Sequence, residues 1–466
     1  MNERRLGKPF WTLLTSSSVS NLGDGVARVA LPLLAATLTR DPLLIGSLTS
    51  FAFVPWLLFA MISGALVDRW DRKTVMIAAN LFRAVVVGAL TFAVYSDAAA
   101  IWMLFVAAFV LGTAETLYDG ATRAILPSVV RRDQLTVANG RLESVEVVLQ
   151  NFIGAPVGSS LFVIAAAGPF LANSAGFLIA ALLLFLLPGS YRAVRDEKVP
   201  AQPPNLRREV GEGLSWLWRH RLLRPFVFIT AIGAALFEGA TAITVLLVID
   251  TMELPEASFG FFMLLIGAGG VIGGLSTAAL LRRFRRRTLL IAIEVGLGLI
   301  LLGIGLAPVP AVVAAGFFLA GLLVLIWNVV SMTMRQTLIP AHLFGRVQGA
   351  WRTVVWGCLP LGGLLGGLLA RVTDVPTVFL VAGVLKLATT VYLIILLKTR
   401  GGELDVMDAE DRAARARGTV ESASTSEAVQ TESEATVPTP AQKDGIEAGI
   451  ERRDVIGDDR RESVAD

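Results

Sequence analysis

The stretch Gly64-Ala-Leu66-Val-Asp68-Arg69-Trp-Asp71-Arg72-Lys73 gathers its charges into a few residues, and long apolar runs adjoin it near 43–67 and 74–95. A helix that crosses a bilayer needs roughly 20 mostly apolar residues, so the stretch reads as a tight polar turn between two crossings. The alternation continues outward in both directions. Apolar runs bounded by charged, proline or glycine clusters predict helices near 10–38, 43–67, 74–95, 100–125, 141–166 and 169–188. A second set is predicted near 223–251, 259–281, 288–307, 311–336, 350–371 and 375–398. The expected fold class is all-α: a polytopic membrane protein of twelve transmembrane helices in two six-helix groups.

Composition agrees. Of 466 residues 54% are hydrophobic and 17% charged, and the mean hydropathy is +0.66. That is more apolar surface than a soluble core hides, and lipid is the solvent that accepts the surplus. The basic start, Arg4, Arg5 and Lys8, leads into an apolar run that outlasts a signal peptide and lacks a small-residue cleavage site, so a retained first helix is expected. The one cysteine, Cys358, cannot form an intramolecular disulfide. His220 and His342 stand far apart without metal-like spacing, and no metal or cofactor is expected. The chain has no Gly-x4-Gly-Lys-Ser/Thr loop and no nucleophile–histidine arrangement, which argues against self-contained ATP-driven transport and against an enzyme.

Lys and Arg accumulate in cytoplasmic loops of membrane proteins. Here they fall in every second connection: Arg4, Arg5 and Lys8; Arg69, Arg72 and Lys73; Arg131 and Arg132; Arg192 to Arg224; Arg282 to Arg287; Arg346; Lys398 and Arg400. The opposite connections hold Arg40 and Arg371. The pattern places both termini in the cytoplasm, for a multi-pass protein of the cell (inner) membrane. Residues 1–188 form a first bundle and 223–400 a second. Between them 189–222, with Pro200, Pro203 and Pro204, reads as a cytoplasmic linker, with a short interfacial helix from Trp216-Leu-Trp218 to Arg224. Residues 401–466 carry 17 acidic against 8 basic residues, and a disordered acidic cytoplasmic tail is expected.

The halves echo each other. Arg123-Ala-Ile-Leu-Pro127, Asn139-Gly140-Arg141 and Ala155-Pro156-Val-Gly158 are answered by Arg335-Gln-Thr-Leu-Ile-Pro340, Gln348-Gly349-Ala350 and Leu359-Pro360-Leu-Gly362. Two similar six-helix halves are a transporter architecture with its site between them near mid-membrane. Ionisable groups inside the membrane cost roughly 2.5–3.5 kcal/mol each on insertion scales, and so mark cavities, partners and function.

In the first span Asn21, Asp24 and Arg28 share one face, with Asp24 roughly 20 Å in at 1.5 Å per residue. Asp24 is either a proton-coupling carboxylate or half of a structural pair with Arg28. Glu115, Asp119 and Arg123 form one stripe of the fourth span, either a relay for a proton or cation or a static ladder, with Arg123 the gate residue. Glu143, Glu146 and Gln150 line the fifth, where Glu143 is placed to pair with Arg123 or Arg141. In the second half Glu238, Glu294, Asn328, Arg335, Arg352 and Lys386 stand singly, and Glu238 is the best further candidate for substrate or proton.

The opening stretch resembles the signature loop of the major facilitator superfamily, Gly-x-Leu-x-Asp-Arg-x-Gly-Arg-Arg/Lys, fitting at Gly64, Leu66, Asp68, Arg69, Arg72 and Lys73, with Asp71 where many members have glycine. In such a loop Asp68 and the basic cluster pair with neighbouring helix ends and latch one conformation; the alternative is that the cluster only sets topology. Ser20-Asn21-Leu-Gly23-Asp24-Gly25 and Gly154-Ala-Pro156-Val-Gly158 resemble the macrolide-efflux and siderophore-export branch of the drug/proton antiporters, with Ala155 and Ser159 replacing glycines of the antiporter motif. The resemblance implies a monomeric secondary transporter that exports small amphipathic molecules in exchange for protons or sodium. Its partners would be the substrate, the coupling ion and the bilayer, with no nucleic acid. Uptake of a nutrient or lipid-like solute on the same fold is the alternative, and a membrane-embedded enzyme or sensor the remote one.

Overall fold

The computed structural model describes residues 6–67, 70–131, 134–192, 206–340, 343–410 and 412–413. The first half contains α1 (Lys8–Leu38), α2 (Pro42–Val67), α3 (Arg72–Tyr95), α4 (Ile101–Val129), α5 (Leu135–Val147), α6 (Ala155–Ile164) and α7 (Gly168–Phe185). A π-helical turn, Val148–Gly154, joins α5 to α6 in one continuous rod. After the linker helix α8 (Leu206–Arg219) come α9 (Leu223–Ala242) and α10 (Thr244–Leu246), extended by a second π turn to Thr251. The rest are α11 (Ala257–Arg283), α12 (Arg286–Leu306), α13 (Pro310–Leu338), α14 (Phe344–Val372) and α15 (Val375–Arg400).

Among the described residues eleven helices are long and apolar enough to cross a membrane. The segment expected as the first span forms the 31-residue helix α1, which lies outside that set of eleven because its serines, Asn21, Asp24 and Arg28 lower its hydropathy. Large side chains such as Phe92, Leu275 and Val372 are exposed on the outer faces, as expected where lipid is the neighbour.

Two helix starts lie well ahead of the sequence reading. The fifth rod begins at Leu135 and α14 at Phe344, so Asn139-Gly140 and Gln348-Gly349 lie inside helices. A methyl group on Gly140 or Gly349 would meet nothing within 4 Å. Each glycine therefore costs only its propensity, about 1 kcal/mol. The linker helix is longer and earlier than expected, and Arg224 belongs to α9. The tail is helical at 402–410 and 412–413 where disorder is expected, because Glu403-Leu-Asp-Val-Met-Asp-Ala-Glu is rich in good helix formers. Residues 403–466 form a separate unit, and the expected disorder from 414 onward falls outside the described residues.

The same packing occurs twice. In the first half α3 packs on α7, α2 on α4, and α1 on both α7 and the α5–α6 rod. In the second, α12 packs on α15, α11 on α13, and α9 on both α15 and α14. The halves meet through α2 against α14 and α6 against α11, which are equivalent pairs under the same correspondence. These contacts start at one end of the bundle, the far end, opposite the end that carries the 70–73 turn and most of the connecting cations (the basic end). At the far end Arg40 pairs with Asp250 at 2.8 Å and Arg371 with Asp41 at 3.6 Å. Deeper, a methyl group on Gly46 would stand 2.5 Å from the Gly363 carbonyl oxygen and 3.0 Å from Gly367 Cα. The Ser50 hydroxyl donates to the Pro360 carbonyl at 2.6 Å, and Trp56 meets Trp356 edge-on at 5.5 Å.

Candidate functional site

The turn quoted first acts through helix ends. Asp71 caps α3, accepting from the Thr74 N–H at 3.0 Å. Its other oxygen accepts from the Ser190 hydroxyl and, at 2.7 Å, from the Tyr191 N–H. Partial burial pushes the Asp71 carboxyl up, but the bonds from Ser190, Thr74 and Tyr191 outweigh it and hold it below the usual carboxylate range. The residue that departs from the family pattern thus ties the start of the inter-half linker to α3. Lys73 donates to the carbonyls of Phe185 and Leu187 at the end of α7, where the helix dipole favours a cation. Gly64 lies near the end of α2, Arg72 opens α3 with its Nε buried, and Asp68 and Arg69 fall outside the described residues.

Inside the first half, Asp24 pairs with Arg83 of α3 at 3.4 Å, so the Asp24–Arg28 alternative is corrected. Arg28 instead donates to Gln150 Oε1 at 3.1 Å, and Gln150 Nε2 donates to Asn21 Oδ1 at 2.9 Å. One helical turn separates Asp24 from Arg28, but α3 and the π turn present closer partners from either side. Arg83 has no solvent-exposed surface. Its guanidinium lies over the rings of Tyr118 and Phe177, at 5.4 and 5.2 Å, and Nη1 also reaches Ser20 Oγ at 3.4 Å.

Around this pair the sequence-predicted carboxylates converge. Arg83, Glu115, Arg28 and Glu146 are the charges that act on Asp24, and Glu115, Glu146, Arg83 and Asp24 those that act on Asp119. Nearer the basic end Asn21, Asp119, Arg123, Glu143 and Glu146 line a cavity of about 90 Å³. Glu143 lines the same cavity as Arg123, with no ion pair between the two among the described residues, whereas Arg141 turns to the Trp11 ring at 5.2 Å. The column runs from exposed Arg123 and Glu143 to buried Arg83. Arg352 of α14 joins from the second half, within the fields of Arg123 and Asp119.

In the second half a cavity of about 230 Å³ is lined by Glu238, Glu294, Asn328 and Lys386 with Phe237, Trp327 and Trp356. Glu294 and Lys386, which the sequence presents as isolated groups, are a buried pair at 2.7 Å. Arg28 is the charge that acts on Glu238 across the halves.

Arg83 was absent from the sequence candidates, although a lone arginine in the middle of an apolar run is the signal that singled out Asp24. Ala155 and Ser159, the two replaced glycines, have a structural counterpart: both are buried against Gly260 of α11, where a methyl group would stand 2.6 Å from the Ala155 carbonyl and collide with Ser159 Oγ. The glycine of that crossing is supplied by the partner helix. Gly154 and Gly158 keep their place because α1 passes at Gly25 and Val26, with Gly25 Cα 2.6 Å from a methyl on Gly154.

The chain is similar to known proteins. The chain is 24% identical over 386 residues to macrolide efflux protein A of Streptococcus pyogenes, covering 81% of this chain and 93% of that protein. It is 25% identical over 382 residues to the multidrug efflux pump Tap of Mycobacterium tuberculosis, covering 80% and 89%. The crystal structure of the nucleoside transporter NupG superposes with a TM-score of 0.70 at 16% identity, over 84% of this chain and 100% of that one, which establishes a common fold. The profile of the Major Facilitator Superfamily matches residues 13–358. With the repeated packing, the buried charges and this match together, the chain belongs to the major facilitator superfamily of membrane transporters.

Proposed function

We propose that the protein is a secondary exporter of small amphipathic molecules, macrolides among them, that works as a monomer by alternating access in exchange for protons. In this reading it sits in the cell membrane with the basic end and both termini in the cytoplasm. The observation that carries it is the column of carboxylates Asp24, Glu115, Asp119 and Glu146 around the buried Arg83. In a membrane interior such charges persist where they are used. A proton on Asp24 releases Arg83, and a proton lost restores the pair, so occupancy by protons is coupled to the packing of α1 on α3. The far-end contacts between the halves make the present arrangement the one closed at that end, with the polar column leading from the basic end. Export, as the direction, is supported by the two efflux relatives.

The test is radiolabelled erythromycin accumulation in reconstituted vesicles under an imposed pH gradient. Gradient-driven accumulation is expected, with loss in Asp24→Asn and in Arg83→Gln. Equal drive by a sodium gradient, or wild-type rates in Asp24→Asn, would overturn the coupling. Absence of vectorial movement for macrolides and for other amphipathic antibiotics would overturn export.

A further inference from the structure

Glu294 is 1% exposed, and its Oε1 accepts from Lys386 Nζ at 2.7 Å. Its other oxygen, Oε2, is equally buried and has no hydrogen-bond partner. A buried carboxylate oxygen without a donor is costly, and this one belongs to a residue that lines the 230 Å³ cavity. Lys386 Nζ lies close over Gly233, where a methyl group would collide with it, and as the far end of a flexible side chain it can swing aside. The ammonium also lies 5.9 Å from the centroid of the Trp327 ring, a face that takes ammonium groups of any origin. Trp356 lines the same cavity and Glu238 adds a second carboxylate. The cavity wall thus carries two carboxylates and one ammonium; Arg28, which does not line it, is the further charge acting on Glu238.

We propose that the second half contains a monocation site centred on Glu294, in which Lys386 is a tethered occupant that an amphipathic amine displaces. The orphaned oxygen and the Trp327 face receive the incoming nitrogen, and the apolar body of the ligand lies toward Trp356. The lysine keeps the carboxylate neutralised while the site is empty and sets a threshold: only a cation that also brings apolar contact outcompetes it. Neutral molecules of the same shape do not engage the dyad. The proposal rests on the transport reading only in taking the displacing amine as a transported molecule, because the site itself is testable by binding.

The probe is 2-phenylethylamine, a primary ammonium at neutral pH whose N–H groups can donate to the orphaned oxygen, with propylbenzene as its neutral isostere, titrated against purified full-length protein in detergent. Removing the tethered competitor in Lys386→Gln is expected to tighten binding of the cation by about tenfold or more, the lower end of measured couplings between close charges. Lys386→Arg stays at the wild-type affinity, Glu294→Gln weakens the cation, and the isostere is indifferent to all three. Unchanged or weaker cation binding in Lys386→Gln overturns the proposal. Should Lys386→Gln fail to fold, the doubly neutralised Lys386→Gln/Glu294→Gln protein must lose the preference for cation over isostere, and a retained preference overturns the proposal. Cation binding as expected without vectorial transport overturns the export reading alone. Transport as expected with no tightening in Lys386→Gln overturns this inference alone.

Discussion

Substituting Gly46→Ala distinguishes what holds the far end closed. Its methyl group would stand 2.5 Å from the Gly363 carbonyl oxygen and 3.0 Å from Gly367 Cα. Both are backbone atoms, which cannot rotate aside as a side chain would, so α2 and α14 must separate. Overpacking of this kind costs about 1–3 kcal/mol, and it applies only while the two helices are in contact. The equilibrium between closed and open far ends should therefore move by roughly 5- to 150-fold toward open. The ion pair Arg40–Asp250 looks like the more obvious clasp, but its side chains are 56% and 41% exposed. Such pairs are worth about 0–1 kcal/mol, so Arg40→Ala should shift the equilibrium by less than about fivefold. Spin labels at Thr37→Cys and Thr373→Cys, exposed on opposite halves at this end, would report the distance by pulsed electron resonance in a Cys358→Ser background. A longer-distance population that grows in Gly46→Ala and stays minor in Arg40→Ala is expected. The reverse order, or no change in Gly46→Ala, would refute the idea that backbone packing rather than charge closes this end.

Two other outcomes follow from contacts described above. Gly260→Ala should lower thermal stability through the collision with Ser159 Oγ, and Ser159→Gly in the same chain should recover part of the loss; a double-mutant cycle with no coupling would show that α6 and α11 do not meet there. Asp71→Ala should cost about 0.5–2 kcal/mol as a lost helix cap and free the Tyr191 amide to exchange. Because the folded Asp71 carboxyl lies below its ordinary value, its contribution is complete above about pH 4 and is lost as pH falls through the lower folded value. Hydrogen exchange at Tyr191 that is the same in wild type and variant would contradict the clamp.

Much of the architecture was legible because hydropathy is a local property: a run of apolar residues reports its own span. Charged partners are not local. Periodicity places Asp24 and Arg28 on one face, yet the partner of Asp24 lies 59 residues away on α3. Likewise, nothing near Glu294 announces Lys386. The column Glu115, Asp119, Arg123 was readable as a stripe, and its neighbours Glu143 and Glu146 as another, but that the stripes face one cavity is a product of helix packing. Asp71 shows the opposite error: measured against a family pattern it looks like a defect, and its use as a cap and clamp is visible only once the linker start is in place.

In both buried ion pairs described above ribosomal synthesis delivers the carboxylate first, and they differ in how long it waits: 59 residues for Asp24 and 92 for Glu294. Asp24 precedes Arg83, so when α3 leaves the translocon its guanidinium already has a partner waiting in the nascent protein. Glu294 precedes Lys386 by 92 residues, with α13 and α14 still to be made. The second half must therefore be assembled around a carboxylate that has no counter-ion until the last span arrives, and a protein truncated before α15 would be left with that debt in the lipid. Biogenesis of the two halves is in this sense asymmetric despite their matching architecture: the first half can close its pair at its third helix, and the second only when α15 arrives.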